Sequence, residues 1–171
     1  RIRTAHTPGG TAALWVGAML LRSIAPGARI WISDPTWGNH VKVFEQAGLE
    51  VIAHPYYDAS SRTLIFDEML AAVEQIPAGD ILFLQGATHN PTGLDPDIRK
   101  WQSLREVVRR RGLLPFFDIA FFGFSSGLRD ERTPTELIEQ LLIRVAEDRS
   151  FLRNSLKFIA DYLQRVQREA T

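Results

Sequence analysis

Cysteine is absent from the 171 residues, and with it go a disulfide framework, a thiolate zinc site and a thiol nucleophile. Net charge is absent too. Twenty basic and twenty acidic residues cancel, whereas a non-specific nucleic-acid or membrane surface needs a basic excess. No nucleic-acid partner is therefore expected. No apolar run reaches the roughly 18 residues of a membrane-crossing helix, and no signal-peptide pattern is visible. No membrane partner and a cytoplasmic protein are the expectations. Internal repeats and low-complexity segments are missing. The first residue is Arg1 rather than Met, which reads as a cut or processed N-terminus.

What is present is ample apolar material. A hydrophobic fraction of 45% supports a packed core and argues against disorder. The length fits one domain, with room for an appendage. Pro8-Gly9-Gly10-Thr11 opens an almost wholly apolar helix over residues 12–21, with Thr11 the candidate N-cap. Residues 28–33, 49–54, 81–84 and 113–119 read as strands, and the run at 81–84 is apolar on both faces. Helices are expected at 41–47, ended by Gly48, and at 67–75, with Asp67 near its cap. The next helix is expected to start at Asp95-Pro96, with Pro96 in its first position. Ile98, Trp101, Leu104, Val107 and Val108 form its apolar face. Helix and strand alternate, so the fold class is α/β: a three-layer, mainly parallel sheet flanked by helices. Beyond Gly127 the character changes. Thr133-Pro134-Thr135-Glu136 is a helix start, and two apolar stripes follow without any strand. The division expected is a lobe over residues 1–128 and a helical hairpin over 129–171 packed on it.

Three stretches carry chemistry. Gly9-Gly10-Thr11 offers backbone N–H groups, a hydroxyl and the positive end of a helix dipole, which together suit an anion; plain capping gives the same pattern. Trp37 sits on a loop after a strand, where it stacks on a planar ligand or covers local core. Asn90, in His89-Asn90-Pro91-Thr92-Gly93, follows one buried strand directly, and Asp118 ends another. Acids at the C-terminal edge of such strands are where open α/β sheets place ligand contacts. A satisfied turn asparagine and a capping aspartate would read alike.

Taken in order, Thr7-Pro8-Gly9-Gly10-Thr11, Asp34-Pro35-Thr36-Trp37-Gly38-Asn39-His40, Tyr56-Tyr57-Asp58, His89-Asn90-Pro91-Thr92-Gly93 and Phe117-Asp118-Ile119-Ala120-Phe121 resemble the large domain of the aspartate/aromatic aminotransferases, pyridoxal-phosphate enzymes of fold type I. The resemblance covers about residues 4–128. It implies pyridoxal phosphate as cofactor, held by Gly9, Gly10 and Thr11 at its phosphate. Trp37 would stack on the pyridine ring, Asn90 would bond the phenolic oxygen, and Asp118 would pair with the protonated ring nitrogen. It further implies His40 behind Asp118, cis peptides at Asp34-Pro35 and Asn90-Pro91, an amino acid and a 2-oxo acid as substrates, and a homodimer.

The chain departs from that pattern in two places. Phe121 stands where the family has a tyrosine that shares the phenolic oxygen. No Ser-x-Ser-Lys-like segment follows the Asp118 strand, so the family's Schiff-base lysine has no match. The lysines are Lys42, Lys100 and Lys157. None reads as desolvated in the way an activated lysine needs. No catalytic residue is assigned. The family's substrate-binding arginines and its small domain also lie outside the match, so the rest of the enzyme is expected to have been lost or replaced by the helical tail. Three functions stay open: an aminotransferase, which is expected to be inactive as this chain alone; a non-catalytic module for pyridoxal phosphate or another phosphate; and a dimerising interaction scaffold.

Overall fold

The computed structural model describes residues 5–121 and 124. The expected tail over 129–171, its helical hairpin and Lys157 lie outside the described residues.

Four parallel strands build the frame: β1 (Ile30–Asp34), β2 (Val51–Pro55), β5 (Ile81–Gln85) and β6 (Leu114–Asp118). Their order across the sheet is β2-β1-β5-β6. Helix α1 (Gly10–Ile24) precedes β1, and helices α2 (Gly38–Gln46), α3 (Phe66–Val73) and α4 (Ile98–Arg111) lie in the three crossovers between the parallel strands. Between β2 and α3 a small antiparallel hairpin forms from β3 (Tyr57–Asp58) and β4 (Thr63–Leu64). The sequence reading expected no strand there. Its strands are two residues each, too short for an alternating pattern to register.

The three-layer arrangement follows from β5. All five of its residues are buried, so alternate side chains enter opposite cores. Ile81 and Phe83 pack with Leu14, Ala18, Val43 and Phe44 from α1 and α2. Leu82 and Leu84 pack with Met69, Val73, Trp101 and Leu104 from α3 and α4. Asp80, just before β5, fixes how that strand enters the sheet. Its carboxylate accepts from the Arg29 backbone N–H, from Arg29 Nε and from Trp31 Nε1 at 3.1, 2.9 and 2.9 Å. Those hydrogen bonds outweigh the opposing effect of burial and hold its carboxyl below the usual range.

Several helix starts differ from the sequence reading. Thr11 is not the N-cap of α1. Gly9 is, with φ 98° and ψ 172°, a backbone conformation open in practice only to glycine, and no side chain caps the helix. Pro96 is not in α4. Asp97 caps that helix, accepting from the N–H groups of Arg99 and Lys100 at 2.9 and 3.0 Å. Helix α3 begins one residue earlier than expected, at Phe66 behind the N-cap Ile65, with Asp67 near that cap in the first turn, as expected. Ile98 is 40% exposed, while the rest of its expected face is buried.

Phe83 is 1% exposed and stands edge-on to Phe44 and His40, at centroid distances of 4.9 and 4.6 Å. Phe83→Ala is expected to lower stability by about 3–5 kcal/mol. Urea denaturation should show this as a lower midpoint at unchanged slope.

Candidate functional site

Parallel strands deliver all their C-terminal ends to one rim, where α/β sheets form ligand crevices. There Asp118, the last residue of β6, stands in register with Gln85, the last of β5. The loop after β1 brings Trp37 to the N-terminus of α2, and the turn after β5 brings Asn90. Across the gap lies the N-terminus of α1. Gly10, Thr11, Trp37, Asn90 and Asp118 line one hollow of about 180 Å³, together with His40, Gln85 and Phe121. Gly9 lies one residue outside the lining, as the N-cap. Five of the six residues singled out in the sequence therefore meet in one place.

Each contributes a distinct kind of contact. At the start of α1 the first N–H groups have no intrahelical acceptor and no capping side chain. The Thr11 hydroxyl makes no hydrogen bond among the described residues. The indole of Trp37 is half-buried and meets the His40 ring edge-on at 5.3 Å. The Asn90 backbone is clamped by one side chain: its N–H donates to Gln85 Oε1 at 2.8 Å, and its carbonyl accepts from Gln85 Nε2 at 3.0 Å. That leaves the Asn90 carboxamide without a partner among the described residues. Asp118 Oδ2 lies 3.1 Å from His40 Nε2, and Oδ1 makes no hydrogen bond among the described residues. Both Asp34-Pro35 and Asn90-Pro91 are cis.

Beneath the Asn90 turn is a buried polar layer. The His89 ring stacks on Tyr56, with centroids 3.9 Å apart and planes 15° from parallel. Its Nε2 lies 2.8 Å from Ser33 Oγ and its Nδ1 lies 2.9 Å from Thr92 Oγ1. Asp95, which the sequence reading assigned to a helix start, serves this turn instead. Its carboxylate accepts the N–H groups of Thr88 and His89 at 2.7 and 2.8 Å. Those bonds hold Thr88 at φ 49°, a left-handed conformation that a β-branched residue rarely adopts. The sequence reading gave Gln85 and His89 no role. The available signal for Gln85 was an amide at the end of an otherwise wholly apolar strand.

No lysine among the described residues lines the hollow. Lys42 is exposed on α2. Lys100 lies 3.8 Å from the Asp97 carboxylate and 5.8 Å above the Phe66 ring.

The profile of the family described as aminotransferase class I and II matches residues 1–160. The chain belongs to this family. An aspartate aminotransferase of Escherichia coli (strain K12) is 46% identical over 131 residues, covering 77% of this chain and 33% of that protein. A tyrosine aminotransferase of Klebsiella pneumoniae is 43% identical over the same shares. Among solved structures, an aromatic-amino-acid aminotransferase of Burkholderia pseudomallei, covalently bound to pyridoxal phosphate, superposes with a TM-score of 0.75 at 44% identity. That match covers 77% of this chain and 33% of the other. The chain spans 33–39% of the length of these curated relatives.

The buried histidines give the site a pH signature. Burial first, then the fields of His40 and His54, push the His89 imidazole down from 6.5 to about 4. Burial also lowers His54. Between pH 6.5 and 4 the unfolded chain binds a proton at His89 that the folded chain does not. Stability should therefore fall as pH drops through that window, by at most about 1.4 kcal/mol per pH unit for each such histidine. Urea midpoints measured from pH 7 to 4.5 should show this fall, with a shallower slope in His89→Gln.

Proposed function

We propose that this chain is the cofactor-holding portion of an aspartate/aromatic aminotransferase, binding pyridoxal phosphate in the hollow described above. The observation that carries the reading is the donor set that the hollow collects. Free N–H groups at a helix start with a hydroxyl beside them suit a dianionic phosphate. The flat indole of Trp37 suits an aromatic ring. An unengaged carboxamide at Asn90 suits a phenolic oxygen. The open oxygen of Asp118 suits a cationic ring N–H, a charge-assisted hydrogen bond. Together these fit a planar, cationic, phosphorylated ring.

When bound, pyridoxal phosphate supplies the electron sink that amino-group transfer requires. The chain's own residues bind and orient. Gly10 and Thr11, with Gly9 shaping the turn, fix the phosphate end, and Trp37 fixes the ring plane. Asp118 keeps a proton at the ring nitrogen, and Asn90 donates to the phenolic oxygen. Phe121 at the rim adds no hydrogen bond. An amine for covalent attachment is not among the described residues that line the hollow, so binding by this chain is reversible and the chain alone does not transaminate. For the whole protein, the same reading makes an amino acid and a 2-oxo acid the substrates, and a homodimer the assembly.

Absorbance titration of the 171-residue chain with pyridoxal phosphate should give a saturable change that dialysis reverses. Asp118→Ala removes one charge-assisted hydrogen bond and should weaken binding by about 10- to 100-fold. A stable pyridoxyl adduct on any lysine after borohydride reduction, or transamination by the chain alone, would overturn the claim of reversible, non-catalytic binding. A flat titration would overturn the cofactor assignment itself.

A further inference from the structure

Beneath the Asn90 turn, on the side of the sheet covered by α3 and α4, lies a second and much smaller cavity. Its volume is about 10 Å³, room for one water molecule and nothing larger. Ser33, His54, Tyr56 and His89 form its polar wall, and all four are buried. Three of them already have partners. Ser33 Oγ lies 2.8 Å from His89 Nε2, and His89 Nδ1 lies 2.9 Å from Thr92 Oγ1. The Tyr56 hydroxyl donates to the Leu94 carbonyl at 2.6 Å. His54 is different. Its Nδ1 lies 3.0 Å from the Pro55 carbonyl. Its Nε2 is fully enclosed, in a residue 2% exposed, and makes no hydrogen bond among the described residues.

What that nitrogen needs follows from the other side of its ring. A carbonyl oxygen only accepts, so His54 Nδ1 carries the ring proton. Burial pushes the imidazole below its ordinary pKa, against the smaller opposing effects of the Pro55 carbonyl and Asp34. At pH 7 the ring is therefore neutral, and Nε2 presents a bare lone pair. A buried acceptor requires a donor. Tyr56 has spent its one proton on Leu94. Ser33 pairs with His54 in the β1–β2 register, so the two side chains leave the same face of the sheet one strand spacing apart, about 4.8 Å. No direct hydrogen bond closes that span, and a single bridging water does so at little cost. Whether Ser33 Oγ donates to His89 or accepts from it, the hydroxyl keeps a lone pair for such a bridge.

We propose that this cavity is a binding site for one water molecule, which donates one hydrogen bond to His54 Nε2 and the other to Ser33 Oγ. The water then links β2 to the polar layer under the Asn90 turn, from His54 through Ser33 to His89 and Thr92. That link matters because β2 is the outer strand of the described sheet and His54 is its one buried residue. The strand enters the core beneath the turn through a side chain whose inner nitrogen only a small donor can reach. The site is independent of the proposed cofactor hollow and requires nothing to be bound there.

A high-resolution crystal structure of the 171-residue chain, grown without cofactor, tests this directly. One solvent peak should lie in the cavity, about 2.7–3.2 Å from both His54 Nε2 and Ser33 Oγ. His54→Phe keeps a ring and removes the lone pair, so the peak should vanish while the Ser33–His89 contact stays. A parent structure without the peak, or a peak that survives in His54→Phe, would overturn the proposal. So would a peak with several ligands at about 2.0–2.1 Å, the distance of a metal ion from a histidine nitrogen. Nitrogen NMR with 15N-labelled histidine gives a second reading in solution at pH 7. The parent His54 should show a protonated Nδ1 and an Nε2 whose signal is displaced by an accepted hydrogen bond. Ser33→Ala removes the other anchor of the water and should move that signal toward its unbonded position. An Nε2-protonated ring in the parent, or a signal unmoved by Ser33→Ala, would also overturn the proposal. Failure of pyridoxal phosphate to bind would leave the peak and the signal unchanged.

Discussion

The burial of β5 on both faces is the constraint on which the rest of the structure depends. A strand flanked on each side by a parallel neighbour and covered above and below by helices has no lateral exit for a polar side chain. Ile81, Leu82, Phe83 and Leu84 are committed to two cores. The first residue able to carry chemistry is the one at the strand's end, Gln85. Next door β6, the half-buried edge strand of the described sheet, also runs through two aromatic residues, Phe116 and Phe117, before presenting Asp118. Parallel pairing then requires that both ends, and the loops leaving them, open on one side of the molecule. The hollow is a consequence of the sheet rather than an addition to it.

His40 joins the packed interior to that rim. Its ring stacks on Phe44 at 6.1 Å and meets Phe83 edge-on, while its two nitrogens reach Thr36 and Asp118. Aromatic packing sets the plane of the imidazole, and that plane aims both nitrogens. Asp118 is thus oriented from inside the α1–α2 core, by a residue one turn along the helix whose N-cap is Trp37. A ligand stacked on that indole and bonded to that carboxylate would be gripped by two groups sharing one short rigid element. Such support from locked rotamers separates a usable site from a loose one.

The large features were legible because they rest on long apolar runs. Residues 81–84 contain no polar group, so a strand buried on both faces was the only economical reading, and the alternation of elements implied parallel pairing. The rim residues were singled out for another reason: each motif alone also fits a plain turn or cap, and only their fixed order along the chain resembles one family. What escaped the sequence was competition between equivalent residues. Asp95 and Asp97 are both able to cap a helix, and only the folded turn shows that Asp95 is taken by the N–H groups of Thr88 and His89. Thr11 has the chemistry of an N-cap, yet Gly9 has the backbone freedom that the entry angle demands. Gln85 was invisible because its role depends on a peptide five residues away and a hydroxyl forty-nine residues away.

The match to about a third of the relatives' length raises a physical question: what does such a portion retain? Hydrogen-bond donors at a helix start, a flat ring, a carboxamide and a carboxylate are contacts whose contribution to binding needs only correct placement. Placement here comes from β1, β5, β6, α1 and α2, all within residues 10–118. Covalent attachment and proton transfer are different. They need an amine held unprotonated against its own preference, which takes desolvation. Neither described lysine is enclosed by apolar groups: Lys42 is exposed on α2, and Lys100 lies 3.8 Å from the Asp97 carboxylate and 5.8 Å above the Phe66 ring. The described residues therefore concentrate the half of the chemistry that a rigid sheet edge supplies by geometry. The half that requires a perturbed ionisable group is not built into that edge.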